Sequence, residues 1–166
     1  MTAGGRALVI LQAACALLMI ASMAMGYAST YGYLGLARHI PFGFISALII
    51  VFAHSMTLFY FAGVGASMRE AVGRHADLMG RLEEAARLRR GLALPLGLAI
   101  VTLMAAVILG GGSHTRKLPA WVHHGAALAA LLFNLAAAVR SIRSIGAHET
   151  LIEGLEDAIE DGPAGP

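Results

Sequence analysis

Four stretches of this chain, at about 7–27, 42–66, 91–109 and 119–139, contain no Asp, Glu, Lys or Arg. A helix needs about 20 apolar residues to cross roughly 30 Å of hydrocarbon, and a helix satisfies its own backbone there. The pattern therefore predicts an all-α integral membrane protein with four spans joined in up-down order. Composition agrees, with 58% hydrophobic and 13% charged residues against about 45–50% and about 25% in soluble domains. Such a chain is neither disordered nor a nucleic-acid binder. The single cysteine, Cys15, excludes an intramolecular disulfide, a Cys-based zinc site and a C-x-x-C-H haem attachment. The first stretch, at about 20 residues, exceeds the core of a signal peptide, about 7–15 residues, and reads as a retained helix.

Basic residues set the expected orientation. Nine of them (Arg6, Arg69, Arg74, Arg81, Arg87, Arg89, Arg90, Arg140 and Arg143) flank the stretches on one side, and only Arg38, Arg116 and Lys117 lie on the other. Both termini are thus expected in the cytoplasm, in a plasma or inner membrane. All ten carboxylates fall on that same side.

Helical patterning continues beyond the spans. Met68, Val72, His75, Met79 and Leu82 recur at heptad-like spacing, as do Ile145, His148, Ile152, Leu155 and Ile159. The expectation is a cytoplasmic hairpin over 67–90 turning at Gly80, with helix three starting near Leu82. A cytoplasmic amphipathic helix over 140–160 and a disordered tail over 161–166 follow. The basic hairpin and the acidic segment are oppositely charged, but exposed ion pairs contribute only about 0–1 kcal/mol each. Apolar seam packing must supply most of any docking; the bland alternative is basic residues on anionic lipid heads.

Polar groups inside the spans are few, and an ionisable one requires a partner. His54 sits mid-span in stretch two and Asn134 in stretch four. Aligning Ala66 with Val139 gives an offset of 73 residues between the two spans. On that alignment His54 lies one turn from His124, and His75 is level with His148. His54 and His124 facing each other across the core would suit the two axial positions of a b-type haem, with His123 as substitute ligand and Gly125, Ala126, Ala127, Ala129 and Ala130 leaving room. In architecture and in these two histidines, not in any motif, the chain resembles four-helix b-type cytochromes and haem-bearing membrane anchors of respiratory enzymes. The competing reading is that His54 simply hydrogen-bonds Asn134 or a neighbour as helix glue.

A second expected cluster joins His75 and His148 with Glu83, Glu84 and Glu149, a ligand set suited to Zn or non-haem Fe. It would otherwise be a buried, pH-sensitive joint. Phosphate-binding glycine motifs and a Ser-His-Asp set are absent from the sequence, so the chain reads as uncertain as an enzyme and more as a carrier or subunit. Small residues at Gly43, Ala47, Gly63, Gly65 and Ser67 allow a homodimer. Three functions follow from these observations: a haem-binding electron carrier or redox-complex subunit in the lipid bilayer, a non-enzymatic accessory subunit docking a partner through its cytoplasmic extension, or a metal- or pH-responsive bundle built on His75 and His148.

Overall fold

The computed structural model describes residues 1–33, 35–73 and 78–160. It is all-helical: α1 (Ala3–Thr30), α2 (Leu36–Val72), α3 (Met79–His114) and α4 (Ala120–Glu160). Each is long and apolar enough to cross a membrane, and each contains one of the charge-free stretches, save Pro119 just before α4. The chain thus has the make-up of an integral membrane protein. α4, with 41 residues, is about 60 Å long at about 1.5 Å per residue, twice the hydrocarbon thickness.

The helices pack in a ring, α1 against α2 and α4, and α3 against α2 and α4. Contacts along two of these interfaces run in opposite senses: Gln12 meets His54 while Gly26 meets His39, and Gly91 faces Arg140 while Gly110 faces His123.

Two of the turns have a shared construction. After α1, Gly32 adopts φ +80°, Tyr33 N–H donates to Ala28 O at 2.9 Å, and Gly32 N–H donates to Ser29 O at 3.3 Å. After α3, Arg116 adopts φ 57°, with Lys117 N–H on Gly112 O and Arg116 N–H on Ser113 O, both at 3.0 Å. A left-handed residue whose flanking amides close the last helical carbonyls is the Schellman motif.

The core has three apolar layers. Cys15, Met19, Ala47, Ile50, Ala53, Leu103, Ala106 and Ala130 form one. Leu8, Phe61, Leu92, Leu96, Ala99, Ala137 and Ile145 form the next. Met68, Val72, Leu78, Ala85 and Leu155 form the third, which docks the ends of α2 and α4 on the start of α3. The one ion pair among the described residues joins the Met1 ammonium to Glu153, so apolar packing and not charge pairing holds the expected hairpin to α4. The turn is not at Gly80. α2 ends at Val72, and α3 already begins at Met79, which puts Gly80 in its first turn. A glycine with open space around it, as here, is tolerated in an exposed first turn and need not break a helix.

Candidate functional site

The polar side chains of the interior fall into three levels. The middle one is His54. Its Nε2–H donates to Asn134 Oδ1 at 2.9 Å, and its Nδ1 lies 3.4 Å from Gln12 Nε2, which also donates to Thr57 Oγ1 at 2.8 Å. Asn134 Nδ2 donates to Ala99 O at 3.1 Å and to Ala130 O at 2.7 Å. His54, Thr57, Gln12 and Asn134 are all buried. One connected cluster thus touches all four helices: Gln12 from α1, His54 and Thr57 from α2, the Ala99 carbonyl from α3 and Asn134 from α4. Because Asn134 Oδ1 can only accept, His54 Nε2 must carry the proton, and Nδ1 is left to accept from Gln12. The imidazole is neutral and both of its nitrogens are engaged. Gln12 Oε1 is buried and lacks a partner among the described residues.

This corrects the expected pairing of His54 with His124. The bonded partner of His54 is 80 residues away, not the 73 given by matching the ends of the apolar stretches. His124 lies ten residues before Asn134 on α4, about 15 Å along the axis. His54 and His124 therefore sit at different depths and do not fit the two axial positions of one iron. Gln12 and Thr57 were the unrecognised members. The signal for Gln12 was available, since an amide in a charge-free span needs a partner as much as Asn134 does.

The second level, toward the end of α1 and the start of α2, is built on histidines. His39 of α2 and His123 of α4 have ring centroids 6.4 Å apart. His123 Nδ1 is 3.0 Å from Ala106 O, so Nδ1–H donates to that carbonyl and Nε2 keeps its lone pair. His39 Nδ1 is buried with no partner among the described residues. His124 turns aside, 3.5 Å from Thr30 Oγ1 and stacked near Tyr27 at 5.7 Å between ring centroids. Each paired ring turns its Cε1 edge toward a glycine. A methyl at Gly26 would stand 3.1 Å from His39 Cε1, and one at Gly110 would stand 2.9 Å from His123 Cε1. His39 precedes the charge-free stretch 42–66, so nothing in the sequence pairs it with His123; the length of α2 brings it inward.

The third level surrounds Glu149, which is only 2% exposed. Its carboxylate accepts from the Thr2 backbone N–H, from Thr2 Oγ1 at 2.6 Å and from the Tyr60 hydroxyl. Thr2 Oγ1 in turn caps α1 by accepting from Gly5 N–H at 3.1 Å. Burial alone would raise the Glu149 carboxyl, but the donors from Thr2 and Tyr60 and the nearby N-terminal ammonium outweigh it and hold the group below the usual carboxylate range. His148 is fully buried between Phe61 and Tyr60, at centroid distances of 4.9 and 5.9 Å, and neither ring nitrogen has a partner among the described residues. Burial lowers its basicity, which Glu149 partly restores.

Of the expected metal cluster, His75 lies outside the described residues, Glu83 and Glu84 are exposed on α3, and Glu149 is bonded to Thr2 and Tyr60. Among the described residues no three His, Cys, Asp or Glu side chains converge on a metal position, at this level or any other. No family model, curated protein or solved structure matches this chain, so its site rests on its own chemistry.

Proposed function

We propose that this protein is a small integral membrane electron carrier, or the carrier subunit of a redox complex, that holds one b-type haem between His39 and His123. The reading takes the chain as an up-down bundle with both termini in the cytoplasm and α2, α3 and α4 extending beyond the bilayer. The supporting asymmetry is nine basic residues on that side against three on the other. The haem would then lie in the outer half of the bundle.

The observation that carries the proposal is the 6.4 Å separation of two imidazoles on diagonal helices. Two metal–nitrogen bonds of about 2.0–2.1 Å with a ring radius of about 1.1 Å at each end give roughly 6.3 Å. The Nδ1–H bond from His123 to Ala106 O supplies the outer-shell anchor that fixes a ligand's tautomer. Zinc needs three or four protein ligands, and only two converge here. Haem iron, with four positions filled by its macrocycle, needs only those two, which favours haem over a bare ion. The group would supply one-electron transfer. The chain's own residues orient the two imidazoles and leave glycine on the flank of each.

Supplementing detergent-purified protein with haem and recording a reduced-minus-oxidised spectrum tests the reading. A b-type α-band with His39→Ala sensitivity is expected. A sample without any band points instead to the non-enzymatic accessory subunit, in which the His54 level serves only to lock the helices.

A further inference from the structure

We infer that the groove between the end of α2 and the start of α3 binds the phosphate head of an anionic phospholipid. The groove encloses about 440 Å³ and is lined by Arg69 from α2 and by Arg87, Arg89 and Arg90 from α3, with Phe61 in its floor and Glu83 at its edge. Four guanidinium groups against one carboxylate leave a net positive cleft. None of the four is in an ion pair among the described residues, where the single pair is Met1 with Glu153.

Depth selects the ligand. The charge-free stretch of α2 ends four residues before Glu70, and that of α3 begins immediately after Arg90. The arginines therefore stand where both helices leave the hydrocarbon, at the level of lipid head groups, while Phe61 is still within the apolar stretch. A phosphodiester can sit on the guanidinium forks with its acyl chains running along the lipid-facing helices. Juxtamembrane basic residues are attracted to anionic lipid on this same basis, each contributing about fivefold in affinity. A soluble phosphoester shares the head-group chemistry but has no acyl chains to anchor it at this depth.

Thermal unfolding of the full chain, reconstituted in phosphatidylcholine vesicles with and without 20 mol% phosphatidylglycerol (about one lipid in five), separates the sources. The expected result is a higher melting temperature with phosphatidylglycerol and no shift with inorganic phosphate or glycerol phosphate added to phosphatidylcholine. Arg69→Gln with Arg90→Gln should remove most of the shift, and Glu83→Gln should enlarge it, which protects the test against a variant that merely folds poorly. An equal shift with the soluble phosphates would reassign the groove to a free phosphoester. Insensitivity to both arginine substitutions, or identical melting in the two lipids, would overturn the inference.

Discussion

His54 Nε2 and Asn134 Oδ1 meet at 2.9 Å in the interior of the bundle, joining α2 to α4 across its diagonal. Polar contacts between membrane helices average about 0.6 kcal/mol, but this one belongs to a cluster that also satisfies the Ala99 carbonyl and the His54 Nδ1 atom. Removing one member strands the others, so Asn134→Ala should cost about 1–3 kcal/mol. In a double-mutant cycle with His54→Ala the coupling should be about 0.5–3 kcal/mol. Stability is read by reversible unfolding in mixed micelles, and additive losses would show that the two groups act separately.

Gln12 makes a sharper comparison within the same cluster. Its Nε2 has two acceptors, but its Oε1 is buried with no partner among the described residues. Gln12→Leu gives up one good hydrogen bond and also removes the orphaned oxygen. The net loss in the same unfolding measurement should be under about 1 kcal/mol, smaller than for Asn134→Ala.

The sequence carried the number of helices and the polar groups within them, because absent charge and buried polarity are both costs the bilayer imposes residue by residue. Asn134 was visible as a partner for His54, but only as one option. What failed was depth. Ala66 and Val139 end their apolar stretches on α2 and α4, yet the bonded pair is displaced from that alignment by seven residues, two helical turns. Helices are staggered by side-chain packing, which the ends of a hydropathy profile do not record. The approach of His39 to His123 follows from that stagger and was hidden for the same reason. So was the Glu149 contact with Thr2, which joins residues 147 apart in sequence.

Glu149 and His148 make the Thr2 end of the bundle acid-sensitive. The His148 imidazole is depressed, so below the usual imidazole range of about 6.5 the unfolded chain takes up a proton before the folded one and stability falls. The Glu149 carboxyl is also depressed, so its contribution is present above the ordinary carboxylate range and is lost as pH falls through its lower folded value. Stability should therefore decline in two stages on acidification from pH 7. His148→Phe should reduce the first stage, and Glu149→Gln should reduce the second at a cost of about 1.5–3 kcal/mol at neutral pH. A single acid transition unaltered by either substitution would count against the assignment.

Gly5 tests the same contact sterically. A methyl there would overlap the Glu149 carboxylate. Gly5→Ala should cost about 1–3 kcal/mol as overpacking does and should loosen the Thr2–Glu149 bonds. Faster amide hydrogen exchange over the first turns of α1 is the expected signature.

The pairing of His39 with His123 is tested most directly by haem titration of five single variants, read as low-spin absorption and as the reduced α-band. His39→Ala and His123→Ala should each abolish the six-coordinate spectrum, and Gly110→Ala, which presses a methyl to 2.9 Å from His123 Cε1, should weaken haem binding roughly tenfold, about 1.4 kcal/mol. His54→Ala and His124→Ala should retain the band. Loss of the band in His54→Ala with its survival in His39→Ala and His123→Ala would contradict the account.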